Sequence, residues 1–117
     1  MIAYKCIVRG YVDGDTLDVV LLFLNITVEE RLRVLGINCP ESHSKDAIEK
    51  AKGEAARKFA YDLAPPSTEV RIVMNKAEGD REKYGRLIAK IVLPNGKDFG
   101  TEMIAAGHAV AYDGGKR

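Results

Sequence analysis

The chain has 117 residues, of which 46% are hydrophobic and 30% are charged, and its formal net charge at neutral pH is +1. This length and composition are typical of one globular domain that buries a core without disulfide or metal staples, and they exclude a disordered or fibrous protein. The near-zero charge gives no overall attraction to nucleic acid and argues against a purely electrostatic binder, so any site for a polyanion must be a local cluster.

The first third of the chain predicts three antiparallel strands. Residues 4–13 are strand-like and end at Asp13-Gly14, which is a strong turn signal. Residues 15–25 read as a very apolar second strand, and residues 26–37 form a third strand after a polar break. Strands joined by tight turns in this way predict a meander.

Between residues 44 and 63 the apolar residues recur every three or four positions, which indicates an amphipathic helix. Ser44 is the expected N-cap, and Asp46 falls in the first turn, where the helix dipole favours negative charge. Pro65 and Pro66 end the helix. The predicted core stripe of this helix consists of Ile48, Ala51, Ala55, Phe59 and Leu63.

Residues 68–77 and 86–94 alternate with a period of two and predict a fourth and a fifth strand around a polar loop. Residues 98–109 predict a short helix with Gly107 near its end. The order predicts a mainly β (α+β) fold, a five-stranded OB-type barrel with a helix after strand three and a C-terminal helix. A small α+β sandwich fits the same periodicity. We expect residues 1–117 to form a single domain.

The compartment is predicted from the start of the chain and from its cysteines. The segment MIAYKCIVRGYVDG lacks the basic start and apolar run of a secretory signal, and no apolar run is long enough to span a bilayer. Cys6 and Cys39 lie far apart without metal-type spacing. We therefore expect a cytoplasmic protein with reduced thiols, although a processed secreted form would have the same sequence features.

Three polar segments lie at the ends of apolar strands, where a scaffold displays a site. They are DGDT at 13–16, RVLGINCPE at 33–41 and EKYGR at 82–86. Each has an ordinary structural explanation: Asp-Gly suits a turn, a lone strand arginine is usually in an ion pair, and a Lys-Tyr turn is common. Together, however, arginines bind phosphate, carboxylates hold a hard cation, and a free carboxylate activates water. This combination predicts phosphodiester hydrolysis.

The motifs VDGDTLDV, RLRVLGINCPES, the intervening helix, EKYGRLIAKIVLPNGK and TEMIAAGHAVAY together cover nearly all of the chain. In this order they closely resemble the staphylococcal nuclease (thermonuclease-like) family. The resemblance implies an OB barrel with added helices, which agrees with the predicted element order. It also implies an endonuclease that hydrolyses DNA and RNA with calcium and leaves a 3′-phosphate.

The resemblance further implies a role for each matching position. Arg33 and Arg86 correspond to the two phosphate-binding arginines, and Glu41 to the glutamate that orients or deprotonates the attacking water. The implied metal ligands are Asp15, Asn38 and the main-chain carbonyl of Cys39. The implied nucleotide pocket is lined by Lys83, Tyr84 and Tyr112.

One position departs from the family pattern, because the typical Asp-Thr-Pro-Glu is replaced here by Asn38-Cys39-Pro40-Glu41. An amide oxygen can still ligate calcium, but one negative charge is lost, and the charge of the ligands tunes affinity. We therefore expect weaker metal binding, a shift toward Mg²⁺ or Mn²⁺, or both.

Two alternatives to a nuclease use the same fold. One is a catalytically weak or inactive nucleic-acid-binding module, and the other is a small-ligand OB protein with coincidental motifs. Members of the family that have lost the activity typically lack the arginines and the glutamate. This chain keeps Arg33, Arg86 and Glu41, together with Asp15. This retention favours the enzyme.

Overall fold

The structure is a computed structural model that describes residues 2–74, 80–81 and 87–112. Its strands and helices are, in chain order, β1 (Ile2–Asp13), β2 (Thr16–Phe23), β3 (Ile26–Val34), β4 (Ile37–Asn38), α1 (Ala47–Leu63), β5 (Glu69–Met74), β6 (Asp80–Arg81), β7 (Leu87–Val92), α2 (Phe99–Ala105) and β8 (Val110–Ala111).

Five strands close a barrel. Antiparallel ladders join β3 to β2, β2 to β1, β1 to β5 and β5 to β7. A parallel ladder between β3 and β7, running from Leu32–Leu87 to Val34–Ala89, closes the ring. This closure confirms the predicted OB-type barrel and excludes an open α+β sandwich. Outside the ring, β6 pairs with the start of β7, and β4 pairs with β8.

The core lies inside the barrel and under α2. Alternate residues of β5 and β7 are buried, as the period of two predicts, whereas the last three residues of β3 are all buried. Apolar residues of α2 cover one end of the barrel. Its largest fully buried side chains include Val8, Leu17, Leu32, Ile72, Ile91, Phe99 and Met103. The ring of Phe99 stacks on that of Tyr11 with centroids 6.3 Å apart. Aliphatic residues thus supply most of the core, as expected from a sequence without tryptophan.

Helix α1 does not pack through the predicted stripe. Ile48 is 70% exposed, Ala51 and Ala55 are exposed, and only Phe59 and Leu63 are partly buried. The residues that face the barrel are Gly53, Ala56 and Ala60. The hydrophobicity pattern favoured larger side chains, whereas the close approach of the helix to the barrel requires small ones.

The N-cap of α1 is Asp46, because its carboxylate accepts the main-chain N–H of Ile48 at 2.9 Å. The predicted N-cap Ser44 is therefore wrong; its hydroxyl instead accepts the N–H of Asp46 at 3.1 Å. The two residues are competing capping types only two positions apart, which sequence alone does not separate.

Several predicted boundaries also change. The third strand was expected over 26–37, but the chain bends at Leu35-Gly36, where Gly36 has a φ of +89° that favours glycine. The strand expected over 68–77 spans Glu69–Met74, with residues 75–77 outside the described part. The last helix ends at Ala105 rather than at residue 109. No helix in the described part of the chain is long and apolar enough to cross a membrane.

Candidate active site

The turn between β1 and β2 meets the corner that follows β3 at one end of the barrel. The main-chain N–H of Val34 donates to the Asp15 carbonyl at 2.9 Å, which fixes the turn beside the end of β3. Beyond the bend at Gly36, Cys39 donates its N–H to Asp15 Oδ2 at 2.8 Å. Two of the three polar segments of the sequence are therefore in direct contact.

Asp15 and Arg33 form a buried ion pair at the centre of this contact. Asp15 is 5% exposed and Arg33 is 7% exposed, and Oδ2 of the carboxylate lies 2.9 Å from Nη1 of the guanidinium. Thr16 lies opposite Arg33 in the β2–β3 ladder and donates its hydroxyl to Asp15 Oδ1 at 3.1 Å. A buried charge needs such a partner, so each side chain holds the other in place.

Arg33 also connects the pair to the rest of the corner. Its Nη1 donates to the Ile37 carbonyl at 3.2 Å, and its Nη2 donates to Asn38 Oδ1 at 3.3 Å. The guanidinium carbon lies 6.0 Å from the ring centroid of Tyr112, within reach of a cation–π contact. Tyr112 is held there because its N–H donates to the Gly36 carbonyl at 2.9 Å. The fold thus brings Asp15, Arg33, Asn38 and Tyr112 together.

Glu41 lies at the solvent side of the same corner, with its side chain exposed. The following residue, Ser42, is buried, and its N–H and hydroxyl both contact Asp13 Oδ1, at 2.9 and 2.6 Å. In the sequence, turn chemistry alone explains Asp13, and nothing singles out Ser42. The signal that could have found Asp13 is its place beside Asp15 in one turn, facing the same loop.

The sequence profile of the family described as staphylococcal nuclease homologue matches residues 31–117, which include this corner and both helices. The chain belongs to this family. It is also similar to endonuclease YhcR of Bacillus subtilis (strain 168), with 25% identity over 114 residues. The matched segment is 93% of this chain and 9% of YhcR, so the chain spans less than a tenth of that relative.

Cys39 takes the threonine position of the staphylococcal nuclease pattern, and its thiol is buried beside the turn between β1 and β2. The side chain is 6% exposed, and Sγ packs against the turn so closely that a Cβ at Gly14 would lie 3.0 Å from it. Burial, together with the negative charge of Asp15, raises the pKa of this thiol to about 12. The raised pKa favours the protonated thiol at neutral pH, and the thiolate is the form that reacts.

Both cysteines are expected to resist alkylation in the folded chain. Burial raises the pKa of Cys6 to about 12 as well, and the reactive species is the thiolate. Iodoacetamide at about pH 8, followed by mass spectrometry, should label neither residue in the time that labels both in urea. Rapid labelling of Cys39 in the folded chain would contradict the described packing.

Members of the staphylococcal nuclease family are generally calcium-dependent, so the corner can be compared with the needs of that ion. Among the described residues, no three His, Cys, Asp or Glu side chains lie close enough together to hold a metal. The carboxylate of Asp15, the amide oxygen of Asn38 and the Cys39 carbonyl are nevertheless hard oxygen donors of the kind calcium prefers. These donor types fit calcium. The Arg33 guanidinium offsets the negative charge of Asp15, so the net charge of the set is low.

Three predicted residues of the nuclease site, Lys83, Tyr84 and Arg86, lie outside the described residues. The strand that follows them begins at Leu87, which pairs with Leu32 beside Arg33. A second phosphate-binding arginine and a nucleotide pocket at this position remain predictions.

A cleft of about 450 Å³ opens beside the corner. One wall is formed by Asn38, Cys39 and Pro40, and the others by the first turns of α1 and by residues 107–110. Its lining mixes apolar and charged side chains, including Ile48 and Lys52. Of the residues of the corner, Asn38 and Cys39 therefore also line this cleft.

Proposed function

We propose that this domain is a metal-dependent nuclease that hydrolyses phosphodiester bonds of DNA, RNA or both. The observation that carries the proposal is the buried Asp15–Arg33 pair, in contact with Asn38 and beside Glu41, in a member of a nuclease family. A cation, oxygen donors and an accessible carboxylate in one corner are the groups that this hydrolysis requires.

Arg33 is the proposed phosphate-binding residue of this corner. Its guanidinium carries five N–H donors, and its bonds to Asp15, Ile37 and Asn38 hold it without using all of them. A guanidinium fixed in this way can meet a phosphate without reorganising, and its charge is worth most where negative charge develops in the transition state. Arg86 is proposed as the second phosphate-binding arginine on the family resemblance alone.

Glu41 is the proposed group that orients and deprotonates the attacking water. Its exposed side chain reaches solvent, while its main chain belongs to the loop that Asp15 and Asp13 hold. General-base assistance of this kind contributes about 10²- to 10⁴-fold to a rate. Tyr112, with Lys83 and Tyr84, is proposed to line the nucleotide pocket.

Asp15, Asn38 and the Cys39 carbonyl are the proposed ligands of a divalent cation, calcium by family and Mg²⁺ or Mn²⁺ as alternatives. When bound, the cation would supply positive charge against the phosphate oxygens. The similarity to a protein named endonuclease YhcR supports the activity, although the chain corresponds to only 9% of that protein.

A catalytically weak or inactive nucleic-acid-binding module is the second candidate. It is favoured by one observation. The side chain that accepts from Nη2 of Arg33 in this corner is the amide of Asn38, where the family pattern has a second carboxylate. The loss of one negative charge lowers the attraction for a divalent cation. Substrate binding through Arg33 does not depend on that charge.

The two candidates are separated by measuring cleavage and binding of labelled single-stranded DNA and RNA. Each substrate is tested with Ca²⁺, Mg²⁺ and Mn²⁺ and with a chelator. We expect cleavage that requires a divalent ion. Binding without cleavage under every condition would support the second candidate, and the absence of both would contradict the two proposals together.

Asn38→Asp is expected to raise the calcium affinity of the free chain by about tenfold or more, because a restored carboxylate adds one negative charge to the proposed ligands. Calorimetric titration with calcium measures this directly and needs no substrate. Asn25→Asp is the matched control, since this substitution makes the same charge change in the exposed β2–β3 turn. Equal effects of the two substitutions, or none, would show that Asn38 is not a metal ligand.

A further inference from the structure

The loop from Cys39 to Ser42 is held at both ends by the two aspartates of one turn. Asp15 Oδ2 accepts the N–H of Cys39 at 2.8 Å, and Asp13 Oδ1 accepts the N–H of Ser42 at 2.9 Å. Since both carboxylates belong to the turn between β1 and β2, the ends of the loop are fixed relative to each other. Glu41 is carried between them.

The attachment at Ser42 is the more elaborate of the two. Its side chain is 4% exposed, and its hydroxyl lies 2.6 Å from Asp13 Oδ1 and 3.1 Å from the Val12 carbonyl. A hydroxyl has one proton to donate, and the short, charge-assisted contact with the carboxylate is the stronger of these two bonds. Asp13 therefore accepts from both the N–H and the hydroxyl of Ser42, the residue that immediately follows Glu41.

Helix α1 packs closely against the same peptide. A Cβ added at Gly53 would lie 2.4 Å from the carbonyl carbon of Glu41, 2.5 Å from its oxygen and 2.5 Å from the Ser42 nitrogen. These are backbone atoms, so they cannot rotate away as the end of a side chain would. Glycine in a helix interior is less favourable than alanine, and here it is the residue that lets α1 touch the peptide.

We propose that Asp13, Ser42 and Gly53 are positioning residues that fix the main chain of Glu41 relative to Asp15 and Arg33. This inference rests on the proposed function, since it concerns the placing of the proposed general base. Both ends of the loop are hydrogen-bonded and the Glu41–Ser42 peptide packs on α1. The main chain of Glu41 is therefore fixed, and its remaining freedom is rotation about the side-chain bonds. A displacement of about 1 Å at a catalytic group costs on the order of 100-fold in rate.

Gly53→Ala tests the helix side of this arrangement. The added methyl must displace the Glu41–Ser42 peptide, so we expect kcat on single-stranded DNA to fall by on the order of 100-fold with KM little changed. Gly10→Ala is the matched control, because a Cβ at Gly10 would have no atom within 4 Å. In a Glu41→Gln background, Gly53→Ala should cause no further loss, since the group that it misplaces has already been removed.

Substitutions of Asp13 and Ser42 test the turn side, and Asp13→Ala, Asp13→Asn and Ser42→Ala do so without adding volume to the structure. Asp13→Ala removes the acceptor and should lower kcat, whereas Asp13→Asn keeps an acceptor oxygen and should retain most of it. Likewise Ser42→Ala should lower kcat and Ser42→Thr should restore it. Amide hydrogen exchange at Ser42 should be faster in Asp13→Ala than in Asp13→Asn, which reports the attachment without any cleavage assay.

The outcomes separate this inference from the proposed function. A native chain that cleaves neither DNA nor RNA would overturn the proposed function and, with it, the positioning role. An active native chain whose kcat is unchanged by Gly53→Ala and Asp13→Ala would overturn the positioning role alone. Losses that are as large in the Glu41→Gln background as in the native chain would also overturn it, because they would reflect general damage. Should Gly53→Ala fail to fold, the paired substitutions at Asp13 (to Ala and to Asn) and at Ser42 (to Ala and to Thr) test the positioning role in the same way.

Discussion

Glu41→Gln is expected to lower the kcat of the chain by about 10²- to 10⁴-fold while leaving its thermal stability unchanged. Glutamine has nearly the same size and keeps an oxygen, but it cannot accept a proton from water. The Glu41 side chain is exposed, so the substitution neither opens a cavity nor leaves a buried partner unpaired. Steady-state cleavage of labelled single-stranded DNA, with circular dichroism melting of the same preparations, measures both parts of the prediction.

Glu54→Gln is the control for this substitution. Glu54 is an exposed glutamate in the middle of α1, so the same chemical change is made away from the corner. Its kcat should match that of the native chain. A Glu41→Gln variant with native kcat would rule out Glu41 as the general base, and a lowered melting temperature would show that its role is structural.

Arg33→Ala is expected to lower the free energy of unfolding by about 3–5 kcal/mol and to abolish cleavage. The substitution removes the guanidinium that lies 2.9 Å from the Asp15 carboxylate, which then stays buried without its ion-pair partner. It also removes the donors to Ile37 and Asn38, so part of the corner loses its support. Urea denaturation followed by fluorescence or circular dichroism gives the change in stability.

The neighbouring pair in the same ladder is the matched control. Arg31 bonds Asp18 at 2.9 Å across β2 and β3, but both side chains are about half exposed. Arg31→Ala should therefore cost less than about 1 kcal/mol and leave cleavage intact. If Arg33→Ala proves no more destabilising than Arg31→Ala, the Asp15–Arg33 pair is not buried as described.

Loss of activity in Arg33→Ala alone would not separate binding of phosphate from loss of fold. Arg33→Lys separates them, because lysine keeps the charge beside Asp15 but lacks the planar fork that grips a phosphate. We expect this variant to regain much of the stability and little of the activity. Recovery of both would mean that a point charge, rather than the guanidinium, is what the site requires.

The barrel was predictable because its signals are local. Alternation with a period of two and the Asp13-Gly14 turn placed the strands, and the change of period placed α1. The position of Asp15 in that turn and of Arg33 and Asn38 around the end of β3 followed from the same elements. Their contact in the structure agrees with the grouping inferred from the sequence.

The parts that the sequence did not reveal depend on how elements meet. The barrel-facing side of α1 is built from Gly53, Ala56 and Ala60, which carry little hydrophobic signal, and only the distance between helix and loop makes them necessary. The bond from Asp13 to Ser42 joins residues that are far apart in the chain. The two-residue strands β4 and β8 are too short to produce a period, although their pairing carries Tyr112 to Arg33.

The most direct test of a hydrolytic site at this corner is the single-turnover rate at which the native chain and Glu41→Gln cleave one labelled single-stranded DNA in calcium. Enzyme in excess over DNA isolates the chemical step from binding and product release. We expect the native chain to cleave at least about 100-fold faster than the variant, and to stop when a chelator is added. Equal rates for the two proteins would contradict a catalytic role for Glu41 and the site built around it.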